Sequence, residues 1–134
     1  MAVTWTPEAV TAAIRQAAMR GVIRFTEAVS AEGVRLIVQG PKTGRIYTRR
    51  GVKHQASAPG EPPASDTGQL AQSADTVYDH AAIRGTAIWR SAHARPMELG
   101  TETIEPRPFA RPALATKTPE GVADIAAEIA DALR

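Results

Sequence analysis

Three histidines are the residues of this chain best suited to acid-base or metal chemistry, because imidazole titrates near neutral pH and ligates metals. They are His54, His80 and His93, and none has a second histidine three to five residues away, the spacing common in zinc sites. Ser57 follows His54 closely, yet no nucleophile elbow or oxyanion glycine pattern accompanies it. The sequence therefore predicts a protein that is not an enzyme and holds neither metal nor cofactor.

Four acids could supply oxygen ligands to a cation: Asp75, Asp79, Glu98 and Glu102. The first two occupy alternate positions of a predicted strand and the others lie in a loop, so they have no shared geometry. We expect ordinary solvated acids.

The strongest chemical signal is a basic run with no acid in it, made of Lys42, Arg45, Arg49, Arg50 and Lys53. Its single aromatic residue is Tyr47, whereas single-strand binders interleave several stacking residues with their cations. Residues 120–131 are the opposite, with Glu120, Asp124, Glu128 and Asp131 and no base. Three interpretations stay open: two solvated surfaces, a basic loop against a neighbour's acidic helix, or contact with a polyanion.

The composition is that of one small globular domain. The chain has 134 residues, 43% of them hydrophobic, but only 4% are aromatic, so the core should be thin for its length. A net charge of +2 is only mildly basic, and the absence of cysteine excludes disulfides. No long apolar run or secretory leader pattern occurs, which predicts a soluble protein without a membrane partner.

The elements that must position these residues begin with a long amphipathic helix. Thr6 is the predicted N-cap, Pro7 the first helical residue and Gly33 the terminator. Its apolar stripe is Val10, Ile14, Ala17, Gly21, Val22, Phe25 and Val29.

Strands and a second helix follow. "VRLIV" at 34–38 and "GRIYTRR" at 44–50 predict a hairpin with its turn in "QGPKTG". "SDTGQLAQS" predicts a short helix capped by Ser65 or Asp66, and residues 75–89 a second hairpin turning at Gly85. Prolines limit any helix in 94–112 to a turn or two.

The chain closes with a predicted helix opened by Thr118 and Pro119, whose apolar face is Val122, Ile125, Ala126, Ile129 and Leu133. The fold class is α+β: a small antiparallel sheet packed by a long N-terminal and a C-terminal helix, with long proline-rich loops, in a single domain over 1–134. Loops this long and irregular suit protein contacts.

Two motifs carry a family resemblance. "HQASAPGEPPASDTGQLAQS" at 54–73 resembles the segment of bacteriophage neck, or tail-completion, proteins in which a Pro-Gly-rich stretch leads into a TG-x-L-x-x-S helix. "ELGTETIEPRPFARPAL" at 98–114 resembles that family's second hallmark, a glycine-threonine pair followed by a PRPF-x-RPAL box. The resemblance spans roughly residues 7–115, and Leu99 stands where an aromatic residue often precedes the glycine.

The resemblance implies a structural virion protein that forms a ring at the head-tail junction or upper end of the tail, and so joins or completes the tail. Its implied partners are copies of itself in an expected hexameric ring, head-closure or portal-side proteins, and tail-tube or tail-terminator proteins. It would act in the virion neck or tail after assembly in the bacterial cytoplasm, in a phage, a prophage or a gene transfer agent. The alternative is a small basic nucleic-acid-binding or adaptor module.

On this reading, loop 54–66 is an arm that docks on an adjacent subunit with Glu61 available to a basic neighbour, and segment 94–115 contains a turn that buries Phe109. Candidate subunit-interface residues are His54, Pro59, Gly60, Glu61, Pro62, Pro63, Leu70, Leu99, Arg107, Phe109 and Arg111. Candidates for contact with passing DNA or with complementary charge are Lys42, Arg45, Arg49, Arg50 and Lys53.

Overall fold

A computed structural model describes residues 1–65 and 68–134 and has an α+β fold, as predicted. Its elements in chain order are α1 (Pro7–Gln39), β1 (Ile46–Arg49), β2 (Val52–Gln55), α2 (Gln69–Gln72), β3 (Ala74–Asp79), β4 (Arg84–Trp89), α3 (Ala94–Leu99) and α4 (Ala110–Ala132). In place of one small sheet, the described residues form two separate antiparallel hairpins, β1–β2 and β3–β4. Among these residues, no helix has the length and apolar character needed to cross a membrane.

Helix α1 begins where the sequence predicts. The Thr6 side chain accepts a hydrogen bond from the Ala9 backbone N–H (3.1 Å), and Pro7 is the first helical residue. The predicted end at Gly33 is wrong, because the helix continues to Gln39 and includes the stretch 34–38 that was expected to be a strand.

Packing explains the longer helix. Ile37 is 1% exposed and extends the buried stripe past Val29, so burial outweighs the strand preference of the β-branched residues around it. Gly33 allows close approach: a Cβ there would lie 2.7 Å from Cη2 of Trp89. The glycine thus serves the contact between α1 and β4, and Gly40 caps the helix instead.

The first hairpin is shifted along the chain relative to the prediction. β1 pairs with β2, from Ile46 opposite Gln55 to Arg49 opposite Val52. Arg50 and Gly51 connect the strands with φ of 53° and 76°, the positive values that a two-residue type I′ turn requires. "QGPKTG" therefore follows the end of α1 instead of forming a hairpin turn.

The second hairpin is confirmed, with Ala74 opposite Trp89 and Asp79 opposite Arg84. Gly85 lies within β4 and not in the turn, because it faces α1, where a Cβ would clash with the Thr26 hydroxyl. Short helix α2 starts after Gly68, so Ser65 is not its cap, and Asp66 lies outside the described residues.

Helix α4 begins at Ala110, earlier than the predicted start at Thr118. Pro112 is tolerated because it lies in the first turn, where backbone N–H groups have no partner within the helix. Thr118 is no cap, since its hydroxyl donates to the Leu114 carbonyl (2.6 Å), and Pro119 lies inside the helix.

Helices α1 and α4 pack antiparallel and form the centre of the molecule. Gly21 of α1 contacts Ile125, and Gly121 of α4 contacts the ring of Phe25. Glu128 of α4 accepts hydrogen bonds from two α1 arginines, Arg20 (3.0 Å) and Arg24. The buried hydrophobic residues are Ala17, Met19, Val29, Ile37, Phe109 and Ala113.

The predicted inner face of α4 is correct only in part. Ile125 faces α1, whereas Val122 is 57% and Leu133 45% exposed, and Ala126 is exposed as well. Helix α4 therefore presents apolar residues outward, because α1 covers only the side that carries Gly121 and Ile125.

Candidate assembly surfaces

The two motif segments lie against each other in the structure. The Gly60 backbone N–H donates to the Pro106 carbonyl (3.0 Å), and the Arg107 side chain reaches the Ser57 carbonyl (3.4 Å). Arg107 also donates its backbone N–H to the Met97 carbonyl (2.6 Å). Residues that the sequence places in two separate motifs thus form one structural unit.

Segment 54–65 is not a free arm, contrary to the prediction. Pro62 and Pro63 are buried within this chain, and Ser57 is only 4% exposed. Pro59 and Gly60 are the exposed part of the proline-rich stretch, and His54 belongs to strand β2. Packing against the chain's own helices and loops holds this segment in place.

Glu61 is not available to a neighbour, which corrects a second expectation. Its carboxylate accepts hydrogen bonds from the Thr43 hydroxyl (2.5 Å), the Thr43 backbone N–H (2.9 Å) and the Ala58 backbone N–H (2.8 Å). The bond from the Thr43 hydroxyl, followed by the backbone bonds, holds the pKa of Glu61 below its ordinary value. Glu61 therefore connects the start of the first hairpin to the proline-rich segment.

Phe109 is buried, as predicted for the PRPF box. It is 1% exposed and packs edge-to-face on Trp89, with ring centroids 5.0 Å apart. Its neighbour Arg111 is exposed, whereas Arg107 is half-buried and bonded within the chain. Among Arg107, Phe109 and Arg111, Arg111 is therefore the residue whose side chain a partner could contact.

Glu98 has a structural role that the sequence did not reveal, so the expectation of a solvated acid is wrong for this residue. Its carboxylate accepts the backbone N–H groups of Phe109 (2.8 Å), Ala110 (3.0 Å) and Arg111 (2.9 Å) at the start of α4. A carboxylate at this end also suits the positive end of the helix dipole. The cap comes from α3, too distant in sequence for a capping box to signal it.

An open groove of about 450 Å³ runs along the second motif. We call it the box groove; it is lined by Glu98, Leu99, Pro106, Pro108, Arg111, Pro112 and Ala115. Leu99 is 46% exposed at its edge. Two predicted interface residues, Leu99 and Arg111, thus share one accessible apolar surface.

The five cations of the basic run have different environments. Arg45, Arg50 and Lys53 are exposed and make no ion pair with any described residue. Lys42 is half-buried and donates to the Leu36 carbonyl (3.3 Å) at the end of α1, and burial lowers its pKa. Arg49 is exposed and borders a cavity.

That cavity, of about 500 Å³, is where several separate segments meet. Its lining includes Arg49, Arg50, Pro63, Leu70, His93 and Met97. The hairpin turn, the proline-rich segment, the start of α2 and the start of α3 are brought together here. Leu70, a predicted interface residue, is half-buried at this cavity.

The residues with the best chemistry for catalysis or metal binding are not gathered at one point. His54 stacks on Tyr47 with ring centroids 5.5 Å apart. Asp75 accepts two hydrogen bonds from Arg90, the principal cause of its lowered pKa. Within residues 1–65 and 68–134, no group of three or more histidine, aspartate and glutamate side chains could hold a metal ion.

The β1–β2 hairpin has one open side. Opposed residues of an antiparallel pair share a face, so Ile46, Thr48, Lys53 and Gln55 form one side of this hairpin. All four are exposed, and Ile46 is 64% exposed. We call this side the hairpin outer face.

Comparison with protein-family models, with curated proteins and with solved structures finds no match for this chain. Inferences about its function therefore come from its own residues, from its surfaces and from the motif resemblance.

Proposed function

We propose that this chain is a structural subunit, without catalytic activity, of a phage-type particle. In this proposal it forms a ring at the head-tail junction or the upper end of the tail and joins or completes the tail. Its partners are further copies of itself and the proteins of the adjoining head and tail layers.

The observation that carries the proposal is the exposure of the β1–β2 hairpin. A two-stranded hairpin is marginally stable in water unless one of its faces is covered. This one has a fully exposed outer face that includes Ile46, and Val52 on the other side is 57% exposed. A hairpin of this kind is best explained as a segment that a neighbouring subunit covers on assembly.

A second support is the amount of apolar surface left on α4 and in the box groove. Val122, Leu133 and Leu114 are all about half exposed, at 57%, 45% and 49%. Covering exposed apolar side chains on association is favourable, because it removes their apolar surface from water. The outward side of α4 and the groove beside Leu99 are therefore surfaces on which neighbours could pack.

The motif resemblance supplies the kind of assembly. Both motifs meet through the bond from Gly60 to Pro106, so the two hallmarks form one surface feature of the subunit. Identical subunits that contact one another through different surfaces close into rings when the rotation between them permits. A ring at the neck of a particle is consistent with the motif resemblance and with the exposed hairpin and apolar surfaces.

The direct test is to remove the chain from the particle-forming system that encodes it. We expect filled heads and separate tails to accumulate, with joined particles restored when the chain is supplied in trans. Electron microscopy of particles with a labelled copy should place the label at the junction. Joined, infectious particles formed without the chain would refute the proposal.

A surface variant makes this test specific. Leu99→Asp in the box groove changes an exposed side chain, so we expect a folded subunit that does not join heads to tails. Val77→Asp is the matched control, because Val77 is similarly exposed, at 47%, on the outward side of β3. Equal joining by both variants would exclude the box groove from the assembly.

Direct contact with nucleic acid is a second candidate function, favoured by the unpaired cations Arg45, Arg50 and Lys53. Phosphate contacts make binding weaken steeply with salt. If this function holds, the isolated chain binds duplex DNA at low salt, and Arg45→Glu weakens that binding with a smaller salt dependence. Salt-independent or undetectable binding would reject it.

A further inference from the structure

We propose that Trp5 of one copy of this chain docks in the box groove of a second copy. The inference rests on the proposed ring function, which it deepens by naming a repeating contact between subunits. The two surfaces lie at opposite ends of the α1–α4 pair, so the contact is head-to-tail and can continue from subunit to subunit.

Trp5 is the one aromatic side chain that the fold leaves exposed. All six aromatic residues of the chain lie in its described part, and the other five are buried or half-buried. Trp5 directly precedes Thr6, the cap of α1, and a residue at this position often packs on the fourth helical residue, here Val10. It is nevertheless 53% exposed. Tryptophan is a residue type that commonly anchors protein interfaces.

The residues before Trp5 add to its apolar surface. Val3 is 70% exposed, and Thr6 has extended backbone angles (φ −111°, ψ 154°). Alternate side chains of an extended segment point to the same side, so Val3 and Trp5 can present one apolar edge. Residues 1–7 contain no charged side chain, so this edge can enter an apolar groove without burying a charge.

The box groove has a lining that suits an indole ring. Leu99 and three prolines form most of its apolar wall, and prolines pair with aromatic rings in peptide recognition. Arg111 is exposed at the groove and makes no ion pair with any described residue. A guanidinium is attracted to the face of a tryptophan ring. The acid of the groove, Glu98, is already bonded to the start of α4, so the unpaired charge that an occupant meets is positive.

Trp5 cannot reach the box groove of its own chain. Helices α1 and α4 are antiparallel, with Gly21 at the level of Ile125. At about 1.5 Å per helical residue, Pro7 and Ala115 of the groove lie about 36 Å apart along the helix axes. Trp5 is two residues before Pro7, and two extended residues span at most about 7 Å. A Trp5 side chain in this groove therefore comes from another copy.

Other exposed apolar residues of the chain suit the groove less well. Ile46 lies in the β1–β2 hairpin beside the unpaired cation Lys53, which Arg111 would repel. Val77 and Val122 lie within β3 and α4, where strand pairing or helical hydrogen bonds fix the backbone. Trp5 precedes the first helical residue, so its segment can follow the groove without breaking a helix or strand.

Engineered cysteines test the contact directly, because the native chain contains none. Chains with Val3→Cys are mixed with chains with Leu99→Cys under mild oxidation, and disulfide-linked dimers are measured by mass spectrometry. We expect the mixed Val3–Leu99 dimer to form well above both like-with-like dimers. The matched control replaces Leu99→Cys by Val77→Cys, because the two native residues are 46% and 47% exposed.

Substitutions at the anchor then test its role. On the Val3→Cys chain, Trp5→Ala should lower the rate of mixed-dimer formation at least about tenfold, and Trp5→Phe, which keeps an aromatic ring, should lower it less. Arg111→Gln on the Leu99→Cys chain should lower the rate about twofold to fivefold, whereas Arg84→Gln, on the second hairpin, should leave it unchanged. Circular dichroism of each variant checks that these exposed substitutions leave the fold intact.

The outcomes separate this contact from the wider proposal. A mixed dimer no more abundant than the Val77 control, or one that forms equally well with Trp5→Ala, overturns the contact between Trp5 and the box groove. A preferential, Trp5-dependent mixed dimer from a chain that is absent from the head-tail junction refutes the proposed function and leaves the contact standing. Location at the junction without the preferential cross-link does the reverse.

Discussion

Replacing Glu98 with alanine removes a carboxylate that accepts three backbone N–H groups at the start of α4. The donors are those of Phe109, Ala110 and Arg111, at 2.8, 3.0 and 2.9 Å. A helix cap contributes about 0.5–2 kcal/mol, and each hydrogen bond to a charged group contributes about 1.5–3 kcal/mol where water cannot replace it.

The expected loss lies between these limits because the site is only partly open. Water can reach the exposed start of α4 near Arg111, but the Phe109 N–H lies beside a ring that is 1% exposed. We therefore expect Glu98→Ala to lower the free energy of unfolding by about 2–3 kcal/mol. For a domain of this size, that corresponds to a fall in Tm of roughly 6–12 °C.

Urea denaturation followed by circular dichroism measures the effect, with Glu102→Ala as the matched control. Glu102 is an exposed acid of the same segment, so its removal should change the free energy of unfolding by less than about 0.5 kcal/mol. Glu98→Gln keeps one acceptor oxygen and loses the charge, and should fall between the two. If Glu98→Ala and Glu102→Ala unfold alike, the carboxylate does not stabilise the start of α4.

Two further predictions concern the centre of the fold and its pH dependence. Gly21→Ala would normally favour a helix, but its Cβ would lie 2.7 Å from the Cα of Ile125, so we expect a net loss of about 1–3 kcal/mol in urea unfolding; a gain would show that α1 and α4 are not in close contact there. Because hydrogen bonds, chiefly from the Thr43 hydroxyl, hold the pKa of Glu61 below its ordinary value of 4.5, the folded state binds this proton less readily than the unfolded state. The stabilisation is present above that value and is lost as the pH falls through the lower folded pKa, so Glu61→Gln should flatten this part of the urea-midpoint profile, and an unchanged profile would contradict the assignment.

The predicted features that the structure confirms are those whose causes are local. Thr6 and Pro7 predict the start of α1 because a cap and a first-turn proline act within one helical turn. The alternating residues of the second hairpin predict β3 and β4, since strand pairing between near neighbours needs only a short turn. Burial of Phe109 is the exception, because its residue type predicts burial but its contact with Trp89 forms only on folding.

The predictions that failed depended on contacts between distant parts of the chain. "VRLIV" has strand-forming residues, yet it is helical because Ile37 is buried at the far end of α1. Segment 54–65 reads as a free arm, yet its prolines pack inside the chain and Glu61 bonds to Thr43. The residues near each segment in the sequence do not indicate these contacts, because the contacting residues are distant in the sequence.

For the candidate assembly surfaces, residue types predict the charges but not which of them contact the rest of the chain. The basic run and the acidic C-terminal segment could be read from residue types alone, because charge needs no tertiary partner to be counted. Which of those charges remain available to a partner could not be predicted from residue types. Lys42 and Glu128 contact α1, whereas Lys53 and Glu120 stay exposed.

By itself, the sequence predicted an α+β fold with helices near both ends, a second hairpin, a charge asymmetry and two motifs that resemble those of neck proteins. Only the tertiary structure decided where α1 ends, where α4 begins, which apolar side of α4 faces outward and that Glu98 caps it. The physical reason is that helix caps, turns and residue charges act over a few residues, whereas burial and the capping of α4 by α3 require chain segments that meet only after folding.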